Sequence, residues 1–199
     1  KFMEDQFTLS EKDFQEEKRK KVMKPLLWFG MASIVMLFAG FTSAVIVRKG
    51  DGQWLRYELP SMFLVSSIIA VISSILIFGA LMAAKKNNQQ LLKTFLWLTL
   101  AAGLAFVYAQ FAGFGQLVDN EIFLTGPSSN PSGSFVYIIA GLHLLHLAGG
   151  IIALGIVIFN AMKGRYNSEN LLGLQVCSAY WHFMGAMWIY LYVFFRMII

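Results

Sequence analysis

The three histidines of the chain are the residues whose spacing could support chemistry. His143 and His146 lie one helical turn apart within the apolar stretch GLHLLHLAGG (residues 141–150), and His182 lies within SAYWHFMGAMW (residues 178–188). Imidazole nitrogens can hold haem iron or a metal ion and can transfer protons. A polar side chain inside an apolar helix usually faces other helices or a cavity. The histidines are therefore the first candidates for a functional site.

Three roles compete for these histidines. A bis-histidine haem could bind between His143 and His182, because neighbouring glycines leave room for a porphyrin. A metal site is less favoured, since no carboxylate or cysteine lies at ligand spacing in the same stretches. A proton relay would need Asp or Glu beside the histidines, and the stretches contain none. The residues alone favour hydrogen bonds to other helices or to lipid head groups, with haem binding and proton transfer left open.

The composition indicates a membrane protein. Of 199 residues, 57% are hydrophobic and 14% are charged, and the mean hydropathy is +0.62, whereas soluble domains carry about 25% charged residues. Five runs lack Asp, Glu, Lys and Arg, and each exceeds the roughly 20 residues that cross a bilayer as a helix. The runs are Pro25–Val47, Pro60–Ala84, Thr94–Val118, Ser134–Met162 and Leu171–Phe195.

These runs predict an all-α integral membrane protein with a bundle of five transmembrane helices in residues 25–199. Residues 1–24 are predicted to be a cytoplasmic segment with a short amphipathic helix. Seven Lys and Arg precede the first run, three lie around the second loop and two lie in the fourth loop. These twelve fall on one side of the membrane, and the remaining four fall on the other side. Basic residues favour the cytoplasm, so we expect a cytoplasmic N-terminus and an external C-terminus. The net charge of +5 then reflects topology and does not indicate nucleic acid.

Small residues predict where the helices approach one another, because they allow close backbone contact in lipid. The third run carries a ladder of small residues at four-residue intervals, namely Ala101, Ala105, Ala109 and Gly113. Further packing positions are predicted beside the histidines at Gly149, Gly150 and Gly185. Tyr180 and Trp181 precede His182 and are predicted, with the three histidines, to contact lipid or a neighbouring helix.

Several motifs together resemble subunit III of the haem–copper respiratory (cytochrome c) oxidases. The stretch from Gly141 to Gly150 matches the pattern G-x-H-x-x-H-x-x-G-G of that family, and residues 180–183 match its Y-W-H-F. Residues 31–48 resemble its helix with A-S-E-V-x-x-F, and ELP (residues 58–60) and TGPSS (residues 125–129) fall at the corresponding places. The resemblance covers all five runs in order.

The resemblance implies the five-helix bacterial form of this subunit, embedded in the plasma membrane. It implies a subunit without catalytic residues, metal, haem or copper, since subunits I and II of these oxidases hold the redox centres. Its implied partners are subunits I and II, phospholipid and, as a further option, a larger respiratory supercomplex. Its implied roles are to stabilise the catalytic subunit of a proton-pumping oxidase, to hold lipids and to support proton uptake. The alternative is a haem b membrane anchor that passes electrons between quinol and a partner enzyme, and a transport subunit is a weaker third.

The chain departs from the family pattern at two carboxylate positions. Ile34 stands where A-S-E-V has Glu, and Gly185 stands where Y-W-H-F-V-D has Asp. The resemblance links both carboxylates to lipid contacts or to proton supply near subunit I. Their replacement argues against direct proton donation by this chain and leaves the structural and lipid-binding roles.

Overall fold

The computed structural model describes residues 2–50, 52, 54–127, 129–166 and 170–199, with side chains from residue 21 onward within these ranges. Each of the five predicted apolar runs corresponds to one helix. In chain order the helices are α1 (Phe2–Lys49), α2 (Ser61–Lys85), α3 (Gln89–Asp119), α4 (Pro131–Met162) and α5 (Leu172–Ile198).

Four helical segments are long and apolar enough to cross a bilayer. They are Lys21–Lys49, Ser61–Lys85, Gln89–Asp119 and Pro131–Met162, and the chain is an integral membrane protein. Helix α5 is not among them, although its 27 residues reach about 40 Å at 1.5 Å per residue. Its tryptophan, tyrosine, histidine and glutamine side chains lower its hydropathy. A fifth span and the orientation of the termini therefore stay predictions.

Helix α1 is continuous through both predicted N-terminal elements. It runs from Phe2 to Lys49 with Pro25 inside it, so the predicted short amphipathic helix and the first span form one helix and do not meet at a break. Proline removes one backbone donor but is tolerated in membrane helices, and the Glu- and Lys-rich residues before it favour helix. The predicted amphipathic face of residues 1–20 lies outside the described side chains.

The helices form a closed ring of four with α1 outside it. Helices α2 and α3 are an extensively packed hairpin, α3 packs on α4, α4 on α5, and α5 returns to α2. Helix α1 packs on α4 and α5, and within the described part of the chain it makes no close backbone contact with α2 or α3. A cleft therefore opens between α1 and α2, with α5 as its floor.

Each helix of the ring packs through a seam, a line of buried residues whose mean spacing along the sequence is 3.5 residues. Buried side chains recur at alternating intervals of four and three, as in left-handed coiled coils, and this spacing gives helix crossings of about 20°. The seam of α3 includes Leu92, Leu96, Thr99, Gly103, Phe106, Gln110, Gly113 and Leu117. The seam of α5 includes Leu174, Cys177, Trp181, Met184, Trp188, Leu191 and Phe195.

The predicted ladder of small residues on α3 packs within this chain only at its second half. Ala109 and Gly113 are buried, whereas Ala101 and Ala105 are exposed, which corrects the expectation that all four meet another helix of the bundle. Residues four apart are rotated by about 40° in an α-helix. Residues spaced strictly four apart therefore move progressively around the helix, away from a seam whose mean spacing is 3.5 residues.

Short polar connections end the helices. Asn87 adopts a left-handed conformation with φ 55°, and the Asn88 side chain accepts a hydrogen bond from the Leu91 N–H (3.1 Å) to begin α3. The Asn130 side chain accepts one from the Ser132 N–H (3.0 Å) to begin α4. Pro131 then occupies the first turn, where the missing N–H has no cost.

Candidate functional site

His143 lies at the centre of the bundle, where four helices meet. Its imidazole is completely buried and contacts three aromatic rings: Phe38 of α1 (6.3 Å between ring centres), Phe106 of α3 (5.9 Å) and Trp188 of α5 (5.3 Å). Among the described residues neither ring nitrogen has a hydrogen-bond partner. His143 is thus shielded from lipid and belongs to the core.

A small cavity adjoins His143. Its volume is about 20 Å³, and its lining includes Ser73 of α2, Gly103 of α3 and Trp181 of α5. A cavity of this size holds about one water molecule, and the aromatic rings around His143 fill the remaining space. The packing leaves no room for a porphyrin beside His143, which argues against the haem alternative.

His146 is half-buried, and its ring also packs on Phe38, with 5.8 Å between ring centres. Its Nδ1 lies 2.7 Å from the Leu142 carbonyl one turn earlier, a hydrogen bond within its own helix. The backbone carbonyl of His146 accepts a hydrogen bond from the Tyr180 hydroxyl (2.9 Å). Tyr180 therefore joins α5 to α4 through the backbone at His146, and the imidazole is not required for that contact.

His182 lies in a groove between α2 and α5 of about 380 Å³, together with Ser74, Gly185 and Ala186. The side chain is partly exposed and faces the cleft between α1 and α2. Since His143 is enclosed in the core, the three histidines do not form one site. Within the described parts of the chain there is no group of three or more His, Cys, Asp or Glu that could hold a metal ion.

Two tryptophan–serine hydrogen bonds join α5 to α2. Trp188 Nε1 donates to Ser67 Oγ, and Trp181 Nε1 donates to Ser73 Oγ, both over 3.1 Å. Each serine in turn donates to a carbonyl of its own helix, Ser67 to Phe63 (2.8 Å) and Ser73 to Ala70 (2.9 Å). The indole N–H groups of these two tryptophans thereby have acceptors, which buried donors require.

Trp181 was predicted to contact lipid or a neighbouring helix, whereas Trp188, Ser67 and Ser73 were not predicted as bonding partners. The sequence does carry a sign of these hydrogen bonds. An indole has a donor but no acceptor, and several serines that could accept from it occur within the otherwise apolar α2. A third polar contact was also missed: Gln110 Nε2 of α3 donates to Ser66 Oγ (2.8 Å), and both side chains are buried.

The glycines predicted to pack differ in how closely they meet a neighbour. A Cβ at Gly113 would overlap the Phe63 ring, and one at Gly150 would lie 3.1 Å from Tyr180 Cε1. Gly185 has more room, with Ser74 Oγ at 3.4 Å, and Gly149 is exposed with no atom within 4 Å. Gly103, which was not predicted, is also close, since a Cβ would lie 2.9 Å from Trp181 Cη2.

A further contact fastens α1 to α5 at their C-terminal ends. Lys49 Nζ and Trp54 Nε1 both donate to the Ile198 carbonyl, over 2.9 and 3.0 Å. A cation at a helix C-terminus is favoured by the helix dipole. In the same region, burial raises the pKa of the Tyr57 hydroxyl, and the nearby Tyr137 raises that pKa further.

Comparison with known proteins decides the family. The profile of the family described as "Cytochrome c oxidase subunit III" matches residues 54–198, which is most of the chain. The chain belongs to the cytochrome c oxidase subunit III family. This confirms the resemblance drawn from the histidine and Y-W-H-F motifs.

Relatives of this subunit III family are similar over most of their own length. Cytochrome c oxidase subunit 3 of Alkalihalophilus pseudofirmus is 28% identical over 170 residues, covering 83% of this chain and 81% of the relative. The subunit of the same name from Thermostichus vulcanus is 26% identical over 165 residues, covering 79% and 78%. A probable quinol oxidase subunit 3 of Staphylococcus saprophyticus is 29% identical over 172 residues, covering 83% of each.

The two departures from the subunit III pattern lie at helix contacts. Ile34 of α1 is partly buried and packs against the core that contains Phe38. Gly185 of α5 faces Ala70 and Ser74 of α2. Neither position places a charged group in the bundle.

Proposed function

We propose that the chain is the non-catalytic subunit III of a proton-pumping terminal oxidase, which stabilises the catalytic subunit, holds structural lipid and supports proton uptake. The observation that carries the proposal is the family match over residues 54–198. Relatives similar over about four fifths of both chains are named as oxidase subunit 3, with cytochrome c or quinol in their names. The proposed partners are subunits I and II, which would carry the haems and copper, phospholipid and a larger respiratory supercomplex.

The interior supports a role in packing. The buried polar residues in the described part of the chain number nine and include no Asp, Glu, Lys or Arg, with His143 as their one ionisable member. They are Thr42, Ser66, Ser67, Ser73, Thr99, Gln110, Ser132, His143 and Ser178. Most of the hydroxyl and indole groups among the core contacts are engaged in hydrogen bonds. A path for ions or protons through the bundle would need charged or readily ionised groups. Support of proton uptake would therefore be indirect, through the stability of subunit I.

The outer surface supports a large apolar partner. On α3 the exposed fractions of Trp97, Tyr108 and Phe111 are 52%, 76% and 62%. Lipid tails satisfy phenylalanine, but a tyrosine hydroxyl or an indole N–H has no hydrogen-bond partner in hydrocarbon. The face of α3 that carries Tyr108 is therefore proposed to contact subunit I.

The cleft between α1 and α2 is the proposed lipid site. On the α1 side it forms an apolar groove of about 300 Å³ that includes Phe38, Phe183 and Tyr190. On the α2 side it forms the groove of about 380 Å³ that includes His182. Ala186 lines both. The apolar walls fit acyl chains, and the basic residues near the span ends would hold the head group.

Orientation is proposed from the basic residues, with the N-terminus in the cytoplasm of a bacterium and the chain in its plasma membrane. Single cysteines at Lys163 and at Arg56 test it. Cys177 is buried and gives little background. A membrane-impermeant thiol reagent should label Arg56→Cys from outside and Lys163→Cys only after the membrane is opened. The reverse pattern would overturn the orientation.

Co-purification tests the function itself. A tagged full chain should recover subunits I and II, identified by mass spectrometry, in an assembly whose optical spectrum shows haem. The chain dissociated from that assembly should show no haem band, and the haem should remain with subunit I. A reduced haem b band that follows the dissociated chain would favour the membrane-anchor alternative.

A further inference from the structure

We infer that the cavity beside His143 binds one ordered water molecule that bridges α4 to α2 in the middle of the bundle. Four residues that line the cavity carry a polar side-chain group, namely His143, Ser73, Trp181 and Trp188. Both tryptophans already donate to serines, which leaves His143 of α4 and Ser73 of α2 as the partners for a water. In the described part of the chain α2 and α4 make no close backbone contact. The water would therefore connect two helices whose backbones do not approach closely in the described part of the chain.

The unpartnered imidazole is the first reason for a bound water. His143 is completely buried, and both of its ring nitrogens lack a hydrogen-bond partner among the described residues. A neutral imidazole has one donor and one acceptor. Leaving such a group unpaired in the core is costly, and a water molecule can satisfy either nitrogen.

Size and chemistry select water over other ligands. A volume of about 20 Å³ exceeds the 10–15 Å³ or so that one water requires and is too small for a larger molecule. A metal ion is disfavoured because the described residues offer no cluster of three ligands. Ser73 Oγ accepts from Trp181 and donates to the Ala70 carbonyl, so its second lone pair remains for a water proton.

The resulting arrangement is a polar chain across three helices. His143 of α4 shares a hydrogen bond with the water, the water donates to Ser73 of α2, and Ser73 accepts from Trp181 of α5. The phenyl ring of Phe106 and the indole ring of Trp188 also line the cavity.

The test uses the full chain in lipid bilayers, labelled with ¹⁵N at histidine. In a water-edited solid-state spectrum the His143 ring nitrogen should receive magnetisation from water at short mixing times. His143→Phe provides the assignment, since it removes that signal and leaves those of His146 and His182. Absence of transfer to His143 in the wild type would overturn the proposal.

Variants of Ser73 distinguish a water that bridges to α2 from a water held by the imidazole alone. Ser73→Ala should reduce the transfer to His143, whereas Ser74→Ala, a neighbouring serine that lines the cleft instead, should leave it unchanged. If Ser73→Ala fails to fold because Trp181 loses its acceptor, Ser73→Thr retains the hydroxyl and should retain the transfer. Equal transfer in wild type and a folded Ser73→Ala protein would overturn the bridge to α2.

Discussion

Trp188 of α5 and Ser67 of α2 share a hydrogen bond of 3.1 Å in the interior of the bundle. The indole is completely buried, and no other acceptor is available to it among the described contacts. Ser67 extends the bond to the Phe63 carbonyl. The pair therefore fixes the register of two antiparallel helices in a surrounding where apolar side chains alone give little directional preference.

Ser67→Ala is expected to destabilise the protein by about 1–3 kcal/mol, because the Trp188 N–H is left buried without an acceptor. Thermal unfolding in detergent measures the effect. Ser33→Ala is the matched control, since Ser33 is exposed and bonds only to the Phe29 carbonyl of its own helix. In the double variant with Trp188→Phe, the loss should be smaller than the sum of the two single losses. Strictly additive losses would contradict the pairing.

Leucine substitutions on α3 separate packing within the chain from contact with a partner. Ala109→Leu should reduce the yield of folded chain, because Ala109 is buried at 3% exposure and overpacking typically costs about 1–3 kcal/mol. Ala105→Leu should leave the isolated chain folded, because Ala105 is exposed. The yield of monodisperse protein after size-exclusion chromatography is the measurement. Equal yields for the two variants would contradict the conclusion that Ala109 lies on the packed side of α3 and Ala105 on its exposed side.

The histidines are expected to be dispensable for the redox centres of the assembled oxidase. His143→Ala combined with His182→Ala should leave haem and copper per subunit I unchanged, because the cavity at His143 is water-sized and His182 lies in a separate groove. Metal analysis and optical spectra of the purified complex provide the readout. Loss of one haem in proportion to the substitution would restore the haem-anchor hypothesis.

Filling the cleft should displace lipid. Ala186→Phe places a ring where the two grooves meet, and the purified complex should retain less phospholipid and lose activity sooner during turnover. Leu145→Phe is the control, because Leu145 is 68% exposed on α4 and lines neither groove. Complete delipidation with subunit III still bound is the stronger form of the experiment. Unchanged lipid content and lasting activity without lipid would leave only helix packing as the role of this face.

The number and approximate positions of the helices could be predicted because runs such as Pro60–Ala84 are long, apolar and uninterrupted. Which face of each helix points to the core could not be predicted. In a soluble bundle the core side of a helix is marked by hydrophobicity. Here lipid-facing Leu145 and buried Leu147 are equally apolar, so hydrophobicity does not distinguish the core side from the lipid side. Small residues offered a substitute signal: Gly113 and Gly150 lie close to a neighbouring helix of this chain, whereas Ala101, Ala105 and Gly149 are exposed on it.

The candidate site shows the same limitation. The three histidines were identifiable by type, but their separation into a core residue, a residue bonded to its own helix and a residue in the cleft depends on how α1, α2 and α5 are placed. The partners Phe38, Phe106 and Trp188 come from three different helices. No local pattern specifies that three such distant residues surround His143.

The position of α1 has a consequence for biogenesis. Its neighbours α4 and α5 are synthesised after α2 and α3, and the bond from Lys49 to the Ile198 carbonyl spans 149 residues of chain. During translation α1 must therefore wait in the membrane while the hairpin of α2 and α3 closes beside it. Until α5 arrives, the α1 face with Phe38 and Thr42 is open to lipid or to an insertion factor. Of the five helices described, the first along the chain is then the last to acquire its neighbours.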